Sequence, residues 1–189
     1  MSIKKGTVYF SFLALFGLLS SFFLPVSTLA QSTSDPLIEL PGSLSPDIGS
    51  FTLLPQNNTA TKLVSSVSIV LTPRNERQLE TFVQNVQNPN SPEYRKFLTV
   101  EQFKRLYSPD VQLVMNLKNF FTKKGLTITY ESPDHLLIVV NGPNTELDKA
   151  FGTISEYHIN TNGDKGFINV QPLKLPASIA KGIKGVTGF

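Results

Sequence analysis

Two apolar pentapeptides set almost back to back constrain this 189-residue chain more than any other feature. Leu126-Thr127-Ile128-Thr129-Tyr130 alternates between branched apolar and hydroxyl-bearing side chains. Ser132-Pro133-Asp134 then turns the chain, and Leu136-Leu137-Ile138-Val139-Val140 returns it. A period of two followed by turn residues and a second extended run predicts an antiparallel hairpin. The returning strand is apolar on both faces. If helices cover one face of its sheet, the other face would normally be polar and wet.

The other elements are read in the same way. Val67, Ile69 and Leu71 alternate with smaller residues and predict a strand over Val67–Thr72. Pro73-Arg74 ends it. Asn75, followed by Gln78, reads as the cap of a helix carrying Leu79, Phe82, Val83 and Val86 on one stripe. Asn88-Pro89 stops that helix. Thr99-Val100-Glu101-Gln102 is a capping box opening a short helix with Phe103, Leu106 and Tyr107. Ser108-Pro109-Asp110 reads as cap, first-turn proline and acid of a third helix, with Val114, Leu117, Phe120 and Phe121 facing inward. Lys123-Lys124-Gly125 closes it. After the hairpin, Asn144 or Thr145 caps a helix with Leu147, Ala150 and Phe151 inward and Gly152 at its end. Ile154–Ile159 reads as a further strand. Phe167–Val170 is a short extra one across an Asn162-Gly163-Asp164 turn. Ala177–Val186, with Ile179, Ile183 and Val186 at spacings of four and three, reads as a terminal helix.

Strand, helices, strand, strand, helix, strand is the order of an α+β, ferredoxin-like split β-α-β sandwich. Its expected architecture is a four-stranded antiparallel sheet with helices on one face. The residues expected on the uncovered side are Ser66, Ser68, Val70, Thr127, Thr129, Leu137 and Val139. Small hydroxyls among aliphatic groups make a flat surface suited to docking another protein. The competing expectation is that the segment before Leu63, or the last helix, covers it.

Residues 1–30 read as a secretory leader. Lys4 and Lys5 precede an uncharged apolar run, Val8–Leu24, which Pro25 breaks; the expected cut lies between Ala30 and Gln31. An uncleaved anchor is the alternative, and it is the only membrane contact the sequence suggests. Residues 31–62 are rich in Pro, Ser and Asn and read as a linker, either a tether or a strap on the domain. Asn57-Asn58-Thr59 fits a glycosylation pattern. The folded domain is expected over residues 63–189.

Composition excludes several chemistries. There is no Cys, hence no disulfide and no thiolate site. Two His, His135 and His158, are too few for a three-His metal centre, and they read as a residue next to a turn and a surface or edge-strand residue. No Gly-x-Ser-x-Gly elbow and no phosphate-cradling glycine loop is present. Glu76 and Glu80 sit on a solvated helix face. Arg74-Asn75 follows a strand directly rather than forming an acyl-phosphate loop. The formal net charge is +3, and removal of Lys4 and Lys5 leaves basic and acidic residues nearly balanced, so no nucleic-acid partner is implied. No catalytic residue, cofactor or metal is expected.

Ser91-Pro92-Glu93-Tyr94-Arg95-Lys96-Phe97-Leu98-Thr99, continued by Phe103, resembles the pro-kumamolisin activation domain, the propeptide of the sedolisin family of serine-carboxyl peptidases. The motif positions are Ser91, Pro92, Tyr94, Phe97, Leu98, Thr99 and Phe103. The resemblance continues through Tyr107-Ser108-Pro109, Lys124-Gly125-Leu126, Ala150-Phe151-Gly152-Thr153, Leu175-Pro176-Ala177 and Val186-Thr187-Gly188-Phe189, with Arg74-Asn75 ahead of it. It implies a ferredoxin-like, non-catalytic domain that helps a secreted acid peptidase to fold, covers its active site and leaves on acidification. The implied partner is a sedolisin-type catalytic domain, acting in trans or encoded in a neighbouring reading frame. Acid release would use carboxylates or histidine, the candidates being Glu93, Glu101, Glu131, Asp134 and His135. An exported protein-binding module without a protease partner is the alternative.

Overall fold

The computed structural model describes residues 34–44, 48–55 and 63–189. The expected leader, its cut at Ala30 and Gln31, and Asn57-Asn58-Thr59 lie outside the described residues. The elements in chain order are β1 (Leu37–Glu39), β2 (Thr52–Leu53), β3 (Val64–Leu71), α1 (Glu76–Gln87), α2 (Val100–Tyr107), α3 (Val111–Lys123), β4 (Thr127–Glu131), β5 (Leu137–Pro143), α4 (Asn144–Phe151), β6 (Ser155–Ile159), β7 (Lys165–Asn169), β8 (Lys174–Pro176), α5 (Ala177–Ala180) and β9 (Ile183–Thr187). This is a mixed α/β arrangement with antiparallel pairing throughout.

The largest sheet has the order β4-β5-β3-β9. Its inward face carries Val67, Ile69, Leu71, Ile138 and Val140, all buried. They meet Val114, Leu117 and Phe121 of α3, Leu147, Ala150 and Phe151 of α4, and Ile179 and Ala180 of α5 in one continuous core. The core is aromatic at its centre: Phe121 and Phe151 have ring centroids 5.0 Å apart, and Phe189 meets Phe151 edge-on at 5.2 Å. Burying these groups is the main source of stability in a chain without disulfides.

Two expectations about the sheets are corrected. Ile154–Ile159 does not join the main sheet, because β6 pairs with β2 and β7 in a separate three-stranded sheet. The main sheet is completed by β9, where a longer terminal helix was expected; only Ala177–Ala180 is helical. The cause is a bulge. Val70 pairs with Gly185 and Leu71 with Ile183, so Lys184 is an extra residue. It places Ile183 and Val186 on one side of a strand at a spacing of three, which mimics a helical stripe. Gly182 and Gly185 also weaken any helix there.

The segment before the main sheet acts as a strap. β1 pairs with β8, β2 pairs with β6, and Leu40 enters the core. Asp110, not Ser108, caps α3 by accepting from the Gln112 and Leu113 amides. Pro143, without a side-chain bond, precedes α4, so neither Asn144 nor Thr145 is its cap.

Asn75 precedes α1 in the left-handed region at φ 54° and makes no side-chain cap. Together with Arg74 it serves the end of α2. Arg74 Nε donates to Ser108 O (2.5 Å), Arg74 Nη2 to Arg105 O (3.0 Å) and Asn75 Nδ2 to Leu106 O (3.3 Å). A guanidinium on the last carbonyls of a helix satisfies orphan acceptors and complements the negative end of the dipole. Arg74 is therefore occupied structurally, which accounts for the pair without acyl-phosphate chemistry.

Candidate functional site

The uncovered side of the β4-β5-β3-β9 sheet follows from strand parity. Cross-strand partners share a face, and the pairs Ser66↔Asn141, Ser68↔Val139 and Val70↔Leu137 tie β3 to β5 opposite the core. Thr127↔Asn141 and Tyr130↔Val139 extend the rows onto β4, and Thr187↔Ser68 and Gly185↔Val70 onto β9. All seven residues expected on an open face from sequence therefore share one surface.

Leu137 and Val139 are half-buried in the centre, Val70 is 39 % exposed and Tyr130 50 %. Ser66, Thr127, Thr129 and Thr187 form a hydroxyl rim around this apolar strip. Thr129 Oγ1 donates to Asn141 Oδ1 at 2.8 Å, fixing two rim groups. Val70 and Tyr130 both remain open to solvent. The strap pairs elsewhere, with β6 and β8, and the expected terminal helix is itself the edge strand β9. Sequence reading omitted Tyr130, Asn141 and Thr187. Tyr130 reaches the face because Thr129 and Tyr130 together oppose Val139 in a second bulge, a feature without a sequence signature here.

The Ser-Pro-x-Tyr motif lies elsewhere and is largely architectural. Ser91 Oγ accepts from the Glu93 amide (3.1 Å), the Tyr94 amide donates to Ser91 O (3.0 Å), and Arg95 takes φ 57° while donating to Val86 O (2.9 Å). Thr99 and Gln102 complete a reciprocal capping box on α2. Phe103 meets Tyr107 at 5.5 Å. Phe97, 74 % exposed, and Leu98 border an apolar groove of about 380 Å³ with Leu79, Phe82 and Val83 of α1.

Three of the five candidate acid-responsive groups converge at the β4–β5 turn. Glu131 lies between Lys118 Nζ and His135 Nδ1, both at 2.5 Å. The hydrogen bond from Lys118, opposed by burial and helped by His135, holds its carboxyl below the ordinary value. For Asp134, burial acts upward but is outweighed by hydrogen bonds from Ser132 Oγ (2.6 Å) and the Leu136 amide (3.1 Å), so its carboxyl is lowered too. Glu93 instead accepts from Asn85 (2.9 Å), and Glu101 lies in the first turn of α2. On α4 burial raises the Asp148 carboxyl, against hydrogen bonds from Ser155. His158 is buried on β6 against Phe51, with Glu156 3.1 Å away.

Among the described residues no group of three His, Asp or Glu could hold a metal ion, and no helix is long and apolar enough to cross a membrane. What the sheet face offers chemically is area and shape rather than reacting groups.

The family model for the pro-kumamolisin activation domain matches residues 54–189. Xanthomonalisin of Xanthomonas sp. (strain T-22) is 31 % identical over 123 residues, which is 65 % of this chain and 15 % of that protein. Aorsin of Aspergillus oryzae (strain ATCC 42149 / RIB 40) is 28 % identical over 120 residues, 62 % of this chain and 18 % of that protein. Sedolisin of Pseudomonas sp. (strain 101) is 28 % identical over 117 residues, 61 % of this chain and 20 % of that protein. The chain thus spans a fifth or less of these relatives.

Proposed function

The chain belongs to the pro-kumamolisin activation-domain family, a propeptide region distinct from the catalytic domain, and from that premise we propose that it docks on a sedolisin-type catalytic domain as its folding chaperone and inhibitor. The observation that carries this reading is the open sheet face. Leu137, Val139, Val70 and Tyr130 form an apolar strip with a hydroxyl rim, backed by a rigid core. Such a surface fits a flat partner, and its preformed shape lowers the ordering cost of association. A ligand that binds only the native peptidase shifts that peptidase toward its folded state by mass action. The sheet order β4-β5-β3-β9, with α3 and α4 on one face, supports the ferredoxin-like reading of this scaffold. We further propose export through the leader at residues 1–30, which N-terminal sequencing of the mature protein would test at Ala30 and Gln31.

The test is inhibition. Residues 31–189 mixed with a purified sedolisin-type peptidase near neutral pH should suppress its activity. Val139→Glu should weaken that suppression at least about tenfold by forcing a charge into the strip, while thermal unfolding of the variant alone changes little. Undiminished peptidase activity in about micromolar excess of the wild-type domain would remove the proposal. The groove beside Phe97 favours a second reading, an exported protein-binding module. In that case secreted partners would be captured through Phe97 rather than Val139.

A further inference from the structure

Helices α1 and α2 contribute no residue to the continuous core; Val86 and Tyr107 are their buried residues. Much of what joins this layer to the sheet is polar. Arg74 and Asn75 hold the end of α2, Lys184 of β9 pairs with Glu76 of α1, and Ser108 Oγ donates to Asp134 O (2.8 Å) in the β4–β5 turn. That turn is itself held by carboxylates and a hydroxyl. Asp134 Oδ1 accepts from Ser132 Oγ and the Leu136 amide, and Ser132 Oγ accepts from the Leu137 amide (2.9 Å). Glu131 ties the turn to α3 through Lys118 and to His135, which stands at φ 62°, a left-handed conformation that costs an L residue energy.

Resting on the propeptide reading above, we propose that the β4–β5 turn is an acid-sensitive clasp: acidification loosens edge strand β4 and the α1–α2 layer first, while the α4 side of the domain stays closed. Protonation removes the anion from Glu131 and leaves Lys118 and His135 without their counter-charge. It also takes from Asp134 the charge that two donors address. Around the clasp stand Arg74, Lys104, Arg105, Glu101 and Asp110, which line one groove with His135. With Glu131 and Asp134 neutral, the cations outnumber Glu101 and Asp110, so repulsion adds to the lost bonds. The direction agrees with linkage. Glu131 and Asp134 are held low, so their stabilisation is present at neutral pH and is lost as pH falls through their folded-state values. Asp148 on α4 is raised and moves oppositely.

Hydrogen exchange of the full chain at about pH 7 and about pH 3, corrected for intrinsic rates, tests this. Protection in residues 100–108 and 131–136 should fall about tenfold in acid, the size of a charge-assisted bond lost at a partly exposed site, while residues 144–151 hold. Glu131→Gln combined with Asp134→Asn should show the same local loss already at pH 7. Lys118→Met, which leaves the turn intact, should reproduce the part of it near β4. Unchanged protection in those segments at pH 3, or an equal loss across residues 144–151, would overturn the clasp. The readout needs no peptidase, so its failure would leave the docking face standing, and a failed inhibition assay would not explain a local exchange pattern.

Discussion

Replacing Gly188 by alanine should cost about 2 kcal/mol, and the reason lies in how the chain escapes a larger penalty. Gly188 has φ 111°, and a Cβ there would sit 2.4 Å from Ser66 O and 3.2 Å from Val67 Cα. Those atoms belong to β3, the strand paired on both sides, by β5 and by β9, and Val67 is fully buried. The obstacle therefore cannot move. Holding the native backbone would cost about 1–2 kcal/mol for the conformation and about 1–3 kcal/mol for the overlap. The cheaper response is to peel Gly188 and Phe189 from the sheet. Phe189 is half-buried, edge-on to Phe151 at 5.2 Å. Full burial of a phenyl is worth about 1.5–3 kcal/mol and an aromatic pair about 0.5–1.5 kcal/mol, so releasing a half-buried ring costs about 2 kcal/mol. The midpoint of thermal unfolding should then drop by about 4–8 °C. Phe189→Ala should cost nearly the same. The double variant should be scarcely worse than either single one, a coupling of about 2 kcal/mol. Urea or thermal unfolding of the four proteins measures this. Strict additivity, or a Gly188→Ala variant as stable as the parent, would refute the reasoning.

Other outcomes follow from the same contacts. Arg74→Ala should lower stability by about 1–2 kcal/mol, less than two fully buried charge-assisted bonds because one of them is exposed. Arg74→Lys should restore under half of it, since an ammonium cannot bridge the Ser108 and Arg105 carbonyls as a fork does; urea titration with amide exchange in α2 reads both. For Asp148 the raised folded-state value means its favourable contribution is complete below the unfolded value of 3.8 and is lost as pH rises through the folded one. The stability of the parent relative to Asp148→Asn should therefore be highest in acid, whereas the advantage over Glu131→Gln should vanish there. Denaturation curves at several pH values separate the two, and parallel pH profiles would contradict both.

Much of the architecture was legible where the signal is local. The alternation of Val67, Ile69 and Leu71 predicts the buried face of β3, and all three lie in the core. Val114, Leu117 and Phe121 predict the inner stripe of α3, and Thr99 with Gln102 predicts its neighbour's capping box. Gly152 ends α4 at φ 54°, as its place in the sequence suggested. These features are decided within a turn or two of chain, by side-chain period and by backbone groups that need a partner.

By itself, then, the amino-acid order determined which residues within each strand share a face: Ser66, Ser68 and Val70 on β3, Thr127 and Thr129 on β4, Leu137 and Val139 on β5. Only the tertiary structure decided which strands became neighbours. It sent Ser155–Ile159 to a second sheet and brought in Ile183–Thr187 across a bulge at Lys184. It also drew Leu40 of the strap into the core, and folded Glu131, Asp134 and His135 against Lys118. Periodicity encodes the orientation of a side chain relative to its own backbone, whereas pairing depends on contacts between residues remote along the chain, which leave no periodic trace.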